Sequence, residues 1–345
     1  MKSVALWSSL LSTVTLLFAL PASADPPGEQ VLSLPVELSP GVTADIAAQV
    51  LVNPDHPNGG RTFVMLHGLA HTGNTFRPLA DAVFADNKLD ARRVVLLDLP
   101  GHGESPLPQG ILFGLLSLGD DVAALTGALD ALGPLGLHAD VLVGHSLGGE
   151  IIELTQNELI TEGTSLRARF AVNDVVLLAP AIPSPLPWSL ADSGAGAAAL
   201  APFVVLGDPL LGPHLFIPAP AWQGLFFTNS KDKLVQGPPS VAEIVAQGYI
   251  APEALVASQE LLGVGTVRPT VSAGIFDPSH GSDACVVAFS EDLFLPAGEE
   301  RPHYRYLTGD TQDERFVVVT RFGAVHDMLI SDPDAVANAM RTCSK

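Results

Sequence analysis

The chemistry most visible in this chain of 345 residues lies in one short run, Gly144-His145-Ser146-Leu147-Gly148. The apolar stretch Val141-Leu142-Val143 comes immediately before it and a helical stretch immediately after. A serine in that strand–turn–helix setting sits on a sharp turn that presents its oxygen above a sheet. Gly144 and Gly148 leave room where strand and helix approach and larger side chains would collide. The chemistry implied is nucleophilic attack by Ser146. A chance Gly/Ser turn is the bland alternative for five letters alone, and the flanking elements argue against it.

A serine hydroxyl is a weak nucleophile and needs a base held in the right tautomer by an acid. His326 stands on the loop that leaves the last apolar stretch, Phe316–Thr320, just before a capped C-terminal helix. It is placed to take the Ser146 proton and return it to a leaving group. The acid is expected in Ser290-Glu291-Asp292-Leu293, at the end of the preceding strand. Asp292 is the first choice and Glu291 the rival, because one residue of register decides which carboxylate faces His326. The turn after the strand ending at Leu178 offers no carboxylate. Two backbone N–H groups must receive the negative charge that develops on a carbonyl oxygen. Leu147, at a helix N-terminus, supplies one; Leu69, after His67-Gly68, supplies the other. His67 is expected to brace that loop rather than to move protons.

The elements that must position these residues alternate along the chain. Strands are expected at Thr62–Leu66, Arg93–Leu97, Asp140–Val143, Asp174–Leu178, Ala284–Phe289 and Arg315–Thr320, Val- and Leu-rich as strands buried on both faces should be. Ala44–Val52 reads as an antiparallel edge strand. Helices are expected at Thr75–Asn87, Leu118–Leu132 and Leu147–Ile160. A last helix is capped by Ser331 or Asp332, opened by Pro333 and runs to Arg341. The pattern is that of a mainly parallel sheet covered by helices, an α/β fold.

Residues 1–24 read as a secretory signal. Lys2 precedes an uncharged run from Val4 to Leu20, and Ala22-Ser23-Ala24 fits a small-x-small cleavage site before Asp25. The other reading is an N-terminal membrane anchor, but the run is short and broken by Ser and Thr. No stable anchor is expected after cleavage, and the expected location is secreted or periplasmic. The core then occupies residues 25–183 and 276–345. Residues 184–275 form an inserted, mostly helical cap, with helices expected at Ser240–Gln247 and Pro252–Leu262. Within it Pro209–Ser230 carries no charge but holds Phe216, Trp222, Phe226 and Phe227. In an exported protein the two cysteines, Cys285 and Cys343, suggest a disulfide; two separate buried thiols are the alternative.

Together these motifs resemble the α/β-hydrolase superfamily, in its serine-nucleophile, esterase/lipase-like branch with an inserted cap. The resemblance rests on His67-Gly68, on Asp98-Leu99-Pro100-Gly101-His102-Gly103-Glu104-Ser105, on Gly144 through Gly149, and on Gly323 through His326. It implies the α/β-hydrolase fold, a triad in the chain order Ser146, Asp292, His326, and a structural turn around Asp98 and His102. A serine at the elbow sets aside the haloalkane dehalogenase and epoxide hydrolase branches, which use aspartate there.

Composition narrows the partner. Carboxylates outnumber Lys plus Arg by 37 to 17, giving a formal net charge of −20. Phosphate backbones and anionic lipid surfaces would repel such a chain, so nucleic acid is set aside. The substrate expected is a small-molecule or lipid-like ester, cleaved through an acyl-enzyme. No metal and no organic cofactor is expected, since metal and phosphate-loop motifs are missing from the sequence. An exported aminopeptidase would use the same triad, with a cap carboxylate such as Asp208, Asp232, Glu243, Glu253 or Glu260 holding an amine. A non-catalytic binding protein on a hydrolase scaffold is the alternative from another class, and the apparently complete triad argues against it. The sequence points to no protein partner.

Overall fold

The computed structural model describes residues 28–56, 59–69, 71–108, 117–181, 204–205, 214–215, 271–292 and 295–343. The expected signal segment and nearly all of the expected cap, including both of its helices, lie outside the described residues.

Eight strands form one sheet in the order β1-β2-β4-β3-β5-β6-β9-β10. They are β1 (Glu29–Ser39), β2 (Val42–Val52), β3 (Arg61–Leu66), β4 (Ala91–Leu97), β5 (Val141–His145), β6 (Asp174–Leu178), β9 (Asp283–Phe289) and β10 (Phe316–Val319). Two-residue strands β7 (Val204–Val205) and β8 (His214–Leu215) pair separately. From β4 onward across the sheet every pairing is parallel, while β2 runs antiparallel to both β1 and β4. The stretch expected at the sheet edge, Ala44–Val52, is therefore one strand inside it. The edge is β1, whose alternation buries Leu34, Val36 and Leu38 and exposes Pro35. Proline lacks a ladder donor, and an edge strand tolerates it.

The buried strands divide their side chains with period two. Val64, Leu66, Val95, Leu142, Val175, Leu177 and Val286 face one core, packed under α2 (Leu118–Leu132), α3 (Leu147–Thr161) and α4 (Leu166–Phe170). Phe63, Met65, Val94, Leu96, Val143, Val176 and Val287 face the other, under α1 (Arg77–Ala85) and the C-terminal helix. Three helices come after β9: α5 (Ala297–Thr308), the short α6 (Met328–Ser331) and α7 (Pro333–Cys343). The start of α2 carries a reciprocal cap, with Ser117 accepting from the Asp120 N–H and Asp120 from the Ser117 N–H. Among the described residues no helix is long and apolar enough to cross a membrane.

Cys285 of β9 and Cys343 at the end of α7 are joined by a disulfide, with Cα atoms 5.5 Å apart across 58 residues of sequence. The bond ties the strand that precedes the Asp292 turn to the last helix. Replacing both cysteines by serine is predicted to lower unfolding free energy by about 2–4 kcal/mol, as closure of a loop this long implies. Denaturant unfolding of the oxidised chain and the variant measures it; equal midpoints would contradict the bond's role.

Candidate active site

Ser146 lies where β5 ends and α3 begins, with φ +52° and ψ −120°. A non-glycine residue there is strained and must be held by its surroundings. Four backbone contacts hold it. The Ser146 N–H donates to the Leu178 carbonyl at 3.0 Å, and its own carbonyl accepts from Ala181, Gly149 and Glu150. The close approach has no room for side chains. A Cβ on Gly144 would lie 2.6 Å from the Gly148 carbonyl oxygen, and one on Gly148 would run into the Leu66 carbonyl. Ser146 itself is half-buried while its neighbours His145 and Leu147 are buried.

Gly68 packs directly on this turn, since a Cβ there would sit 2.9 Å from the Ser146 Cβ. The loop carrying Leu69 is thus against Ser146, and Leu147 opens α3, where the first N–H groups have no partner within the helix. His67 braces that loop. Its Nδ1 is 2.8 Å from the Gly68 carbonyl, and its Nε2 accepts the Leu99 N–H at 3.0 Å. A carbonyl can only accept and an amide only donate, so Nδ1 carries the proton and the ring is neutral. Burial, then the nearby His102, hold its pKa well below the ordinary value. The Asp98 turn is structural too: Asp98 accepts from Gly73 at 2.6 Å and Glu104 at 2.9 Å. Gly103, at φ +50°, leaves the space its carboxylate fills.

His326 and Asp292 meet across 34 residues of sequence. The His326 Nδ1 is 2.7 Å from the Asp292 Oδ2, and both residues are buried. The other Asp292 oxygen accepts the Leu295 N–H. Glu291 turns away and accepts the Gly323 N–H at 3.0 Å, tethering the loop that carries His326. The register left open in the sequence therefore brings Asp292, not Glu291, to the imidazole. Burial alone would lower the His326 pKa, but the charge and hydrogen bond of Asp292, with the charge of Asp327, raise it above 6.5.

Several polar groups around the site have no counterpart in the sequence reading. His71, His145 and Asp327 form a buried cluster beneath Ser146 and His326. The His71 Nε2 is 3.2 Å from the Asp327 Oδ2, and the His145 Nε2 is 3.1 Å from the His326 carbonyl oxygen and 3.7 Å from the Asp327 Oδ1. Their donor atoms lie within 4.8 Å of one another, which makes them the candidate metal-holding group among the described residues. The pairing speaks against an ion. Each Nε2 already faces an oxygen that can only accept, so each carries a proton where a metal would need a lone pair. Further along α3, Glu153 takes the His303 Nε2 between its two oxygens at 3.0 and 2.9 Å. Burial, and then the Glu153 charge, push Glu150 up to about 8.

A profile of the alpha/beta hydrolase family matches residues 63–339. Among solved structures, the fold is similar to an esterase from Thermogutta terrifontis (TM-score 0.61, 19% identity, covering 90% of this chain and 97% of that one). It is also similar to a bromoperoxidase from Bacillus anthracis (TM-score 0.60, 17% identity, 90% and 98%) and an esterase from Exiguobacterium antarcticum (TM-score 0.57, 14% identity, 90% and 98%). At these identities the likeness is one of fold. In sequence, a stretch of 96 residues is 34% identical to the magnesium-chelatase 30 kDa subunit of Rhodobacter capsulatus, spanning 28% of this chain and 30% of that protein. With the elbow, the sheet order and a family match over most of its length, this chain belongs to the alpha/beta hydrolase family.

Proposed function

We propose that this protein is an exported serine hydrolase that cleaves carboxylic esters through Ser146, His326 and Asp292. The observation that carries the reading is the 2.7 Å pairing of His326 Nδ1 with Asp292, with the His326 carbonyl accepting from His145, the residue before a serine held at positive φ. With Nδ1 facing the carboxylate, Nε2 is the nitrogen assigned to proton transfer. In the cycle, the Ser146 oxygen attacks the ester carbonyl carbon while His326 accepts the hydroxyl proton. The oxyanion is received by the N–H groups of Leu147 and Leu69. His326 then protonates the departing alcohol, leaving an acyl group on Ser146. A water molecule, deprotonated by the same nitrogen, releases the acid. Asp292 stays ionised and orients the ring throughout.

Ester is favoured over a free-amine peptide substrate by the charge-free run Pro209–Ser230, whose Phe216, Trp222, Phe226 and Phe227 suit an apolar acyl group. The cap carboxylates named as alternatives lie outside the described residues. Export is supported by the signal-like first 24 residues and by the Cys285–Cys343 bond, which belongs to oxidising compartments.

Ser146→Ala and His326→Ala are each predicted to lower kcat for p-nitrophenyl acetate on the order of 10⁴-fold or more, with unchanged circular dichroism. Activity kept in Ser146→Ala would sink the mechanism. Aminoacyl anilides are expected to be turned over far more slowly than esters; the reverse ranking would make the protein an amide hydrolase. Because protonated His326 cannot accept the serine proton, kcat/KM should rise with pH through a midpoint above 6.5, the ordinary histidine value. Asp292→Asn is expected to cut kcat on the order of 10⁴-fold, and Glu291→Gln far less. A midpoint below 6.5, or the larger loss in Glu291→Gln, would contradict the assignment of Asp292.

A further inference from the structure

Three separate loops must agree in position for Ser146 to react: the elbow, the loop after β3 and the loop after β10. Beneath them each loop contributes one buried polar side chain, and the three side chains meet. His145 precedes the nucleophile, His71 follows the expected oxyanion donor by two residues, and Asp327 follows His326. All three are fully buried. Their rings and oxygens are in register, with the His71 and His145 rings 5.5 Å apart and the His145 and His326 rings 4.8 Å apart.

We infer that Asp327, held between His71 and His145, is a positioning residue that locks the three loops together and serves as a second carboxylate for His326. The inference rests on the reading of His326 as the base. Its chemistry follows from which atoms can donate. The Asp327 carboxylate can only accept, so the His71 Nε2–H donates to Oδ2 over 3.2 Å. The His326 carbonyl can only accept, so the His145 Nε2–H donates to it over 3.1 Å. His145 thus fixes the backbone of the base itself, while Asp327 Oδ1 lies 3.7 Å from the same nitrogen. A fully buried carboxylate without such donors would be expensive to keep ionised. Burial acts against its charge here, but the facing His71, by charge and by its hydrogen bond, keeps its pKa well below the ordinary range. His145 is the counterpart: burial, and then the charge of His326, hold it well below 6.5 and so neutral.

The consequence for His326 is a second anionic neighbour. Asp292 faces its Nδ1 from the turn after β9, the His145 ring faces it from the elbow, and Asp327 lies on its own loop. Beyond these, His71 faces Asp327 from the loop after β3, His67 lies on that same loop, and Glu300 on α5 is held well above the ordinary carboxylate range by burial and then by the charge of Asp292. As the proton moves from Ser146 to His326, two carboxylates rather than one stabilise the imidazolium. A residue that merely filled the core would leave that equilibrium alone.

The test is Asp327→Asn, which keeps the shape and removes the charge. Two quantities are followed against pH: labelling of Ser146 by a fluorophosphonate, and kcat and KM for p-nitrophenyl acetate. The expected result is a midpoint for labelling lowered by about one pH unit, as loss of a nearby opposite charge implies. A fall in kcat of about tenfold at little-changed KM is expected with it, roughly what a displaced general base costs. A labelled wild-type chain, with the midpoint and kcat unmoved in the variant, overturns the role of Asp327 and leaves the hydrolase reading standing. A wild-type chain that no fluorophosphonate labels at any pH overturns both. If Asp327→Asn does not fold, His71→Gln takes its place: it is expected to slow labelling at every pH without moving the midpoint, and wild-type labelling rates would overturn the proposal. Activity lost to a chelator and restored by Zn²⁺ would mean that the three side chains hold an ion, which also overturns it.

Discussion

A serine held at φ +52° is the constraint on which the rest of this molecule depends. Strain of that kind costs on the order of 1–3 kcal/mol and persists only where the surroundings leave no alternative. Here they consist of the β6 carbonyl of Leu178, the Ala181 amide and the Gly149 and Glu150 amides in the first turn of α3. None of these contacts tolerates a shift of the backbone, which is why Gly144, Gly148 and Gly68 are packed to the limit of what a hydrogen in place of a side chain permits. The sheet order puts β3 and β6 on either side of β5, so that the loops after both strands reach the elbow.

Charge is distributed around that serine so that each buried imidazole has one task. His67 is neutral and structural, its two nitrogens spent on the Gly68 carbonyl and the Leu99 amide. His145 is neutral and ties the elbow to the base loop. Of these three rings it is His326 that faces Asp292, and it is biased toward accepting a proton. Among the acids, Asp292 orients the imidazole, Glu291 fastens the loop at Gly323, and Asp98 stitches the turn after β4 to Gly73 and Glu104. Similar carboxylates therefore do different work because different donors surround them.

Much of the fold and the turn at Ser146 was legible in the sequence. Buried parallel strands reveal themselves as unbroken apolar runs, and β3, β4, β5, β6 and β9 were each placed within a residue or two. The elbow was legible because glycine spacing there is dictated by sterics. Other features were not. β1 was missed because Pro35 and an exposed Val31 break the apolar pattern, and an edge strand tolerates both. α5 was missed because Pro302 falls inside it and its first turns are charged. The cluster of His71, His145 and Asp327 has no spacing to find, since its members are 74 and 182 residues apart in the chain and only the sheet topology unites them. The one hint was position: each stands within two residues of a site residue already identified. The choice between Glu291 and Asp292 likewise turned on a register that only three-dimensional packing sets.

The central claim is that Ser146 forms a covalent bond to its substrate and that the surrounding loops exist to make it do so. The most direct measurement is acid quenching of the protein during turnover of p-nitrophenyl acetate, followed by peptide mass analysis. The account predicts an acetyl group on the peptide carrying Ser146, formed as fast as the first p-nitrophenolate is released. Release of p-nitrophenolate with no acyl adduct at Ser146, or with the adduct on another residue, would contradict it.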